Sequence, residues 1–450
     1  MLKLRLAVIT LIYGAMFHYA YVAYIHPSFE YAHYYYIATS SAQLLLTYLL
    51  VTAPVVAYRS STAPATCGAA LIFVVCYVPA QLMLLFNLER SPAELALVQG
   101  SLAASMAMLL WASSIGGRAG APIWPVDRLS VILNFLTVVS IGALVLNYYK
   151  YMRLVSFEDV YDLRFESSIE QSVVANYLIS WLAYCFLPFY FARGLLRKRW
   201  GDIGIGLIGS LLIYSATGAK AAILMLPIVC CLNVLMGSGR NFLLRLMIAM
   251  TVVIFLVIAL IPDEGILMWI KSILMVRVLG TGGWTIATYY EYFSTHSFTF
   301  FTHIGPINAL TGAYPYGEYS LGQTIGLNYT GSSQANFNAN FWASDGFAAL
   351  GVLGIPVVTV AMTGVFYAIN RIASGCPPRF VALWLTGFWL AVMNVPLTTA
   401  LLSGGGGLTM LLLWSTRARL GGMKRHHARS AAAPSGVAAG ATTGGTRTLT

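Results

Sequence analysis

The chain has 450 residues, of which 58% are hydrophobic and only 9% are charged, and its formal net charge is +11. A soluble domain carries about 25% charged residues, so this composition, with a mean hydropathy of +0.75, excludes an ordinary soluble protein. The six cysteines show no regular spacing, which excludes a disulfide framework and a zinc-binding motif.

Apolar segments long enough to cross a membrane recur along the chain. They predict an all-α integral membrane protein with about 12 transmembrane helices. The first segment is interpreted as a retained span, because it is too long for a signal peptide and contains Tyr13, His18 and Tyr21. In chain order the predicted spans are 6–25, 36–57, 69–87, 95–114, 129–147, 172–192, 203–217, 219–236, 244–262, 346–369, 380–395 and 397–415.

The distribution of positive charge predicts the orientation of these spans. On one side of the membrane the loops hold 19 of the 26 Lys and Arg residues, and this side is predicted to be cytoplasmic, with both termini. The basic loops 193–200 and 237–245 predict that 203–236 is a hairpin turning at Thr217-Gly218-Ala219-Lys220. The positive charge is therefore interpreted as a topology signal and an attraction to anionic lipid, and not as nucleic-acid binding.

Residues 263–345 form the one long loop, and it is predicted to lie outside the cytoplasm. Within it, 266–279 is predicted to be a helix lying in the membrane interface, and 284–293 a second short helix. The chain is thus predicted to be one polytopic membrane domain, 1–429, followed by a disordered cytoplasmic tail, 430–450, rich in Ala, Gly, Thr and Ser. The glycine run 404–407 is interpreted as a site of close helix packing, because no strand precedes it.

Cations and aromatic residues collect on the predicted outer face. Arg164, Lys220 and Arg277 come from three separate outer segments. A lone interfacial cation most often binds lipid headgroups, but three that converge suit the diphosphate of a lipid. Neighbouring Tyr and Asn side chains suit a sugar, although tyrosines at a membrane edge also form the ordinary aromatic belt. The candidate glycan-binding residues are Tyr161, Tyr289, Tyr290 and Asn336.

Short motifs occur in a fixed order over about residues 145–370. They are Tyr161-Asp162-Leu163-Arg164, Thr217-Gly218-Ala219-Lys220, Val276-Arg277, Tyr289-Tyr290, Ala335-Asn336, and Asp345-Gly346-Phe347 running into Gly351-Val352-Leu353-Gly354. In order and placement these motifs resemble the Wzy-type oligosaccharide repeat-unit polymerases, which build O-antigen and capsule-like polysaccharides. The resemblance covers about half of the chain.

The resemblance implies a GT-C-like glycosyltransferase without metal or other cofactor in the bacterial inner membrane, with its active site in a periplasmic loop. Its donor would be a growing glycan on undecaprenyl diphosphate, and its acceptor one repeat unit on a second undecaprenyl diphosphate. The acceptor hydroxyl attacks the anomeric carbon of the donor, and undecaprenyl diphosphate leaves. Besides these substrates and membrane lipid, a chain-length regulator is a partner that the sequence leaves open.

This chemistry requires cations for the leaving diphosphate and can use a base for the hydroxyl. The candidate bases are Asp345, His303 and Glu291, with Glu318 as a further carboxylate. For Asp345 the alternative interpretation is an N-terminal cap of the tenth span. No motif selects one base from this set.

Two other functions are compatible with the sequence. An O-antigen ligase would transfer the same donor to a lipid A core, and the functional His that such ligases carry in a large periplasmic loop could correspond to His303. A flippase or transporter for lipid-linked oligosaccharides would be expected to show internal repeats and ionisable groups near the middle of the membrane. The predicted spans are nearly free of charge away from their ends, and no repeat is evident.

Overall fold

The computed structural model describes residues 1–37, 39–116, 127–153, 172–237, 241–332, 335–337 and 341–415. Within these ranges the chain is helical, and its only strand-like feature is a single bridge between Ser374 and Cys376. The predicted all-α class is therefore confirmed for the described part of the chain. Tyr161, Arg164 and the predicted disordered tail 430–450 lie outside the described residues.

The helices are numbered in chain order. They are α1 (Leu2–Ala32), α2 (Ser41–Ala57), α3 (Ala65–Asn87), α4 (Pro92–Ala112), α5 (Asp127–Tyr148), α6 (Val173–Arg197), α7 (Trp200–Thr217), α8 (Lys220–Met236), α9 (Phe242–Leu260), α10 (Ile266–Ser272), α11 (Thr281–Phe293), α12 (Gly305–Thr311), α13 (Leu321–Thr330), α14 (Trp342–Leu350), α15 (Gly354–Ile372), α16 (Pro378–Trp384), α17 (Thr386–Val392), α18 (Leu397–Leu402) and α19 (Gly406–Ser415). A π-helical segment, Ile273–Gly280, joins α10 to α11 without a break.

Eight helical stretches among the described residues are long and apolar enough to cross a membrane. They are α1, α3, α4, α5, α6, α7, α9 and the stretch Trp342–Ile372 that contains α14 and α15. Helices α2, α8 and α19 are apolar but shorter. A helical membrane protein is thus supported, while the predicted total of 12 spans stays a prediction.

The two predicted spans nearest the C-terminus are not continuous helices. The segment predicted at 380–395 is divided at Leu385, whose φ of −76° and ψ of 7° depart from the α-helix between α16 and α17. The segment predicted at 397–415 is divided between α18 and α19, where Gly405 has a left-handed φ of +72°. Each of these two predicted spans is therefore made of two helices. The close-packing role of the glycine run is confirmed, because a Cβ on Gly406 would lie 2.2 Å from Cδ2 of Phe388.

Helix α3 lies at the centre of the bundle, and 94% of its most apolar 18-residue stretch is buried inside the protein. Two glutamines tie it to α4. Nε2 of Gln81 donates to the carbonyl of Gln99 at 2.9 Å, and Nε2 of Gln99 donates to the carbonyl of Gln81 at 2.9 Å. Gln99 also donates to Oγ1 of Thr47 on α2 at 3.0 Å. In a membrane, an apolar side chain gains little by packing against another helix in place of lipid. Side-chain hydrogen bonds of this kind therefore help to hold the helices together.

The loops fall into two groups at opposite ends of the bundle. At one end, the amide of Ile37 donates to Phe86 at 2.9 Å, and Arg90 donates to Ser294 in the long loop at 2.9 Å. At the other end, the side chain of Asn370 binds the loop after α4 through the carbonyl of Ser113 at 2.7 Å. In each of these three contacts the two partners belong to segments that the charge pattern assigned to the same side. Which end faces the cytoplasm stays a prediction.

The long loop 263–345 folds onto this first end. The predicted helices at 266–279 and 284–293 are both present, as α10 with its π-helical extension and as α11. Helix α11 packs on α3, where a Cβ on Gly283 would lie 2.8 Å from Sδ of Met83. The Trp284 ring stacks on Tyr34 with centroids 5.8 Å apart. The loop is therefore anchored to the helical bundle by its own first helices.

Helix α14 folds back sharply against α15. Gly351 has a φ of +61° and ends α14, and the chain restarts as α15 three residues later. Gly346 and Gly354 meet at the crossing, because a Cβ on Gly346 would lie only 2.4 Å from the carbonyl oxygen of Gly354. The predicted span 346–369 is therefore bent and not straight. The bend sets α14 beside α11 and the long loop, and α14 carries Asp345.

Candidate active site

His303 and Asp345 form a buried pair in the long loop. Nε2 of His303 lies 2.7 Å from Oδ1 of Asp345, and the two side chains are only 4% and 5% exposed. His303 lies between α11 and α12, and Asp345 lies in the first part of α14. Two of the three candidate bases from the sequence are thus brought together as one unit.

The second nitrogen of the His303 ring is also held. Its Nδ1 lies 2.7 Å from Oγ1 of Thr299, and that hydroxyl lies 3.1 Å from the carbonyl oxygen of Ala348 on α14. A neutral ring that donates Nε2–H to the carboxylate can accept the Thr299 hydroxyl proton at Nδ1. A protonated ring donates at both nitrogens, and the hydroxyl then donates to Ala348. The site can therefore satisfy either protonation state of the imidazole.

A tight turn places His303 against α14. Phe300 and Phe301 have φ values of +47° and +64°, a left-handed conformation that bulky residues rarely adopt. The amides of Thr299 and Phe300 donate to the carbonyls of Ala348 and Ala349, at 2.9 and 3.0 Å, and hold the turn on the helix. Strained backbone of this kind concentrates at functional sites, where surrounding contacts over-determine it.

Asp345 is not the cap of its helix. The N-cap position of α14 is Phe341, and no side chain there makes a capping hydrogen bond. Asp345 lies within the helix, and its Oδ1 is directed to His303. The interpretation of Asp345 as an N-cap is therefore wrong.

Tyr289 lies inside the protein beside this pair. Its side chain is fully buried, and its hydroxyl donates to the carbonyl of Phe337 at 3.3 Å. Burial raises the pKa of Tyr289 above its usual value, and the negative charge of Asp345 raises it further. Tyr289 therefore stays neutral and acts as a hydrogen-bond donor near the carboxylate.

Glu291 occupies a different place from the pair. It is exposed, and one of its carboxylate oxygens accepts a hydrogen bond from the Tyr329 hydroxyl at 2.8 Å. Burial raises the pKa of Tyr329, and the adjacent carboxylate of Glu291 raises it further, so this bond keeps its proton on the tyrosine. Tyr290, the residue before Glu291, packs against Phe347 with ring centroids 5.0 Å apart and ring planes tilted by 36°. Asn336 is exposed on the short described segment 335–337.

The predicted diphosphate-binding cations are placed as follows. Lys220 begins α8 immediately after the turn at Gly218, where φ is +63°, and the predicted hairpin is thereby confirmed. Arg277 is exposed on the π-helical segment Ile273–Gly280, and its charge acts on the hydroxyl of Tyr34. Arg164 lies outside the described residues. Convergence of the three cations therefore stays a prediction.

Lys271 has a structural environment that the sequence did not indicate. Its side chain is 4% exposed, and its ammonium group lies 2.5 Å from Oδ1 of Asp263 and 3.1 Å from the carbonyl oxygen of Ile261. The same group lies 4.5 Å from the centre of the Tyr24 ring. Lys271 thus joins the start of the long loop to α1. The only signal in the sequence for this ion pair is the short spacing between Asp263 and Lys271.

No group of three or more His, Cys, Asp and Glu side chains is arranged to hold a metal ion in the part of the chain that the structure describes. No family model matches the chain, and neither a curated protein nor a solved structure shows detectable similarity to it.

Proposed function

We propose that the chain is a membrane glycosyltransferase that polymerises oligosaccharide repeat units carried on undecaprenyl diphosphate, at the periplasmic face of the bacterial inner membrane. The observation that supports it most is the buried pair of His303 and Asp345 in the long loop. A carboxylate held in a nearly enclosed site by an imidazole is suited to accept a proton from a sugar hydroxyl. The multi-helix membrane architecture suits substrates with long lipid chains.

In the proposed reaction Asp345 is the base. The acceptor hydroxyl oxygen attacks the anomeric carbon of the donor and forms the new glycosidic bond. The bond between that carbon and the diphosphate oxygen breaks, and the electron pair leaves with undecaprenyl diphosphate. The hydroxyl proton passes to Oδ2 of Asp345, which has no hydrogen-bond partner among the described residues. Cations, for which Lys220 and Arg277 are the proposed residues, stabilise the departing diphosphate.

His303 has a positioning role in this mechanism. Its Nε2–H donates to Oδ1 and leaves Oδ2 for the substrate. Because the pair is nearly enclosed, a glycan can reach it only when the turn at 299–303 shifts. Ionised Asp345 then meets the hydroxyl in a site from which water is largely excluded, which strengthens electrostatic interactions there.

Asp345→Asn tests the proposal. Asn keeps the acceptor oxygen for His303 but cannot take a proton, so the fold should persist while polymerisation falls about 10²- to 10⁴-fold. The variant is compared with the wild type in a strain deleted for the gene, and the length distribution of surface polysaccharide is measured on a gel. Single repeat units should accumulate in place of a ladder.

Glu264→Gln is the matched control, because Glu264 is an exposed acid at the start of the same loop. It should support a ladder close to that of the wild type. A full ladder from Asp345→Asn, with both proteins equally abundant in the membrane, would exclude Asp345 as the base. If Asp345→Asn instead removes all polymer attached to the lipid A core but leaves polymer that is not attached to the core intact, the result would indicate a ligase.

A further inference from the structure

An open cavity of about 500 Å³ lies beside α11 and α14, apart from the buried pair. Its size falls within the range of about 300–1,000 Å³ that is usual for small-molecule sites. The aromatic part of its lining is formed by Tyr290, Phe293, Phe298 and Phe347, and the polar part includes Ser294 and His296.

The aromatic wall is closely packed. Besides the Tyr290–Phe347 pair, the rings of Phe293 and Phe298 stack with centroids 6.2 Å apart. Phe298 lies edge-on to Phe347 at 6.3 Å. Gly351 provides space for this ring, because a Cβ there would lie 2.9 Å from Cζ of Phe298. Such a wall offers the flat apolar faces on which the C–H groups of a sugar ring can pack.

The polar edge offers both an acceptor and donors. Nδ1 of His296 lies 2.9 Å from the carbonyl oxygen of Tyr292, and the ring stacks on Tyr292 with centroids 4.0 Å apart. Because a carbonyl can only accept, a neutral His296 carries its proton on Nδ1, and its Nε2 is an acceptor. Arg90 donates to Oγ of Ser294 at 2.9 Å, and its guanidinium carbon lies 5.8 Å from the Tyr290 ring centre.

Formal charge at this edge is net negative, with one guanidinium against three carboxylates. Arg90 has acidic neighbours in Glu89 and Glu94, and Glu291 follows Tyr290 in the chain. The edge therefore lacks the excess of cations that would select a phosphate or an acidic sugar. Aromatic faces, a histidine acceptor and hydroxyl and guanidinium donors together match a neutral sugar ring.

The cavity does not contain the reacting position. Asp345 and Phe347 are two residues apart on α14, which sets their side chains about 200° apart around the helix. Likewise, Phe298 lines the cavity, whereas the next residue, Thr299, binds His303. The cavity and the pair thus lie on opposite sides of the same contact between α14 and the loop.

We propose that this cavity is a subsite for a neutral sugar of the repeat unit, held at a distance from the sugar that reacts. The subsite rests on the proposed function for the identity of its glycan. It would anchor one part of the oligosaccharide beside α14, so that a sugar further along the same glycan reaches the pair on the opposite side of that helix.

The test measures binding apart from catalysis. The probe is the free repeat-unit oligosaccharide, released by mild acid from the lipid-linked intermediate of the deletion strain. Its dissociation constant is measured by calorimetry on the purified full-length protein in lipid nanodiscs. His296→Ala and Tyr290→Ala should each weaken binding about tenfold, the loss expected for one hydrogen bond or one aromatic contact. Tyr31→Ala, which removes an aromatic ring that is 80% exposed at the same end of the protein, should leave binding unchanged.

Each outcome bears on one proposal separately. Wild-type affinity in both cavity variants, with unchanged thermal unfolding, would overturn the subsite, and so would failure of the wild-type protein to bind the probe. Asp345→Asn should bind the oligosaccharide as the wild type does while losing polymerisation. If Asp345→Asn polymerises normally and the cavity variants still lose affinity, the proposed catalysis fails and the subsite stands.

Discussion

The hydroxyl of Thr299 is the residue-scale feature that lets the His303–Asp345 pair change its protonation. It lies within hydrogen-bond distance of both the imidazole and the carbonyl of Ala348. A hydroxyl can rotate to donate to one or the other. When a proton enters the pair, no buried polar group is left without a partner, which would otherwise cost about 1–3 kcal/mol.

This geometry predicts that Thr299→Val slows polymerisation about tenfold, because the Val side chain leaves Nδ1 of His303 without its partner at a cost of about 1–3 kcal/mol. Thr299→Ser keeps the hydroxyl and should restore most of the rate. Both variants are compared by the rate of ladder formation with purified lipid-linked repeat units. If both variants are as fast as the wild type, Thr299 has no positioning role. If both are slowed equally, the loss indicates only a packing defect.

The pair itself could be predicted only in part from the sequence. Asp345 and His303 were both candidates, but they were alternatives, because nothing in the sequence brings together side chains 42 residues apart. Their contact depends on the left-handed turn at Phe300 and Phe301. Phenylalanine is an unfavourable residue for that conformation, so no local preference signals it.

At the scale of elements, the crossing of α14 and α15 determines where Asp345 lies. The backbones meet at Gly346 and Gly354 more closely than any side chain would allow. This close approach lets α14 turn back against the loop. The chain therefore does not run from α14 into α15 as one straight membrane span. The position of the proposed base therefore depends on two residues that have no side chain.

Gly346→Ala is accordingly expected to destabilise the protein by about 1–3 kcal/mol, because its Cβ would meet the backbone of Gly354 at 2.4 Å. The measurement is the thermal unfolding midpoint in detergent, together with ladder length in cells. Gly364→Ala is the matched control on α15, where a Cβ meets nothing within 4 Å. The control should be unchanged or slightly more stable, since Ala is the better helix former. Equal midpoints for the two variants would show that the crossing tolerates a side chain.

The hydrophobic pattern of the sequence predicts the positions of helices better than the positions of breaks within them. The spans around α3 and α9 were predicted nearly as found, because long apolar runs favour uninterrupted helix in a membrane. The breaks at Leu385 and Gly405 were missed, since apolar composition continues across them. They follow from tertiary packing, as at Gly406 against Phe388, which hydropathy does not report.

At the scale of the whole molecule, the long loop, the segment after α1 and the loop before α4 meet at one end of the bundle. Arg277 lies at this end beside Tyr34. The Lys220 turn joins α7 to α8. Arg153, which follows α5, reaches the same α7, where its amide donates to the carbonyl of Ser215 at 3.0 Å. A diphosphate site built from these separate segments would form only when the bundle is assembled.

Arg277→Ala should therefore shorten the polymer and slow its formation by about ten- to a hundredfold, since a hydrogen bond to a charged group contributes about 1.5–3 kcal/mol. Arg277→Lys should restore the rate only partly, because an ammonium group cannot bind two phosphate oxygens in the planar manner of guanidinium. Lys150→Ala removes a cation from another predicted outer segment and serves as the control. Wild-type chain length from Arg277→Ala would remove this residue from the proposed site.

The orientation of the two ends is the last prediction, because the periplasmic site depends on it. A cysteine introduced at Ser332, in the long loop, should react with a membrane-impermeant thiol reagent in intact cells whose outer membrane is permeabilised. A cysteine at Arg199, exposed at the predicted cytoplasmic end, should react only after the inner membrane is lysed. Both cysteines are introduced into a protein with Cys231 replaced by serine, because Cys231 is the only exposed native cysteine among the described residues. The expected pattern follows from the excess of Lys and Arg in the loops at the Arg199 end. The reverse pattern would place residues 263–345 in the cytoplasm, where lipid-linked repeat units could not be polymerised on the outer face, and the proposed function would fail with the topology.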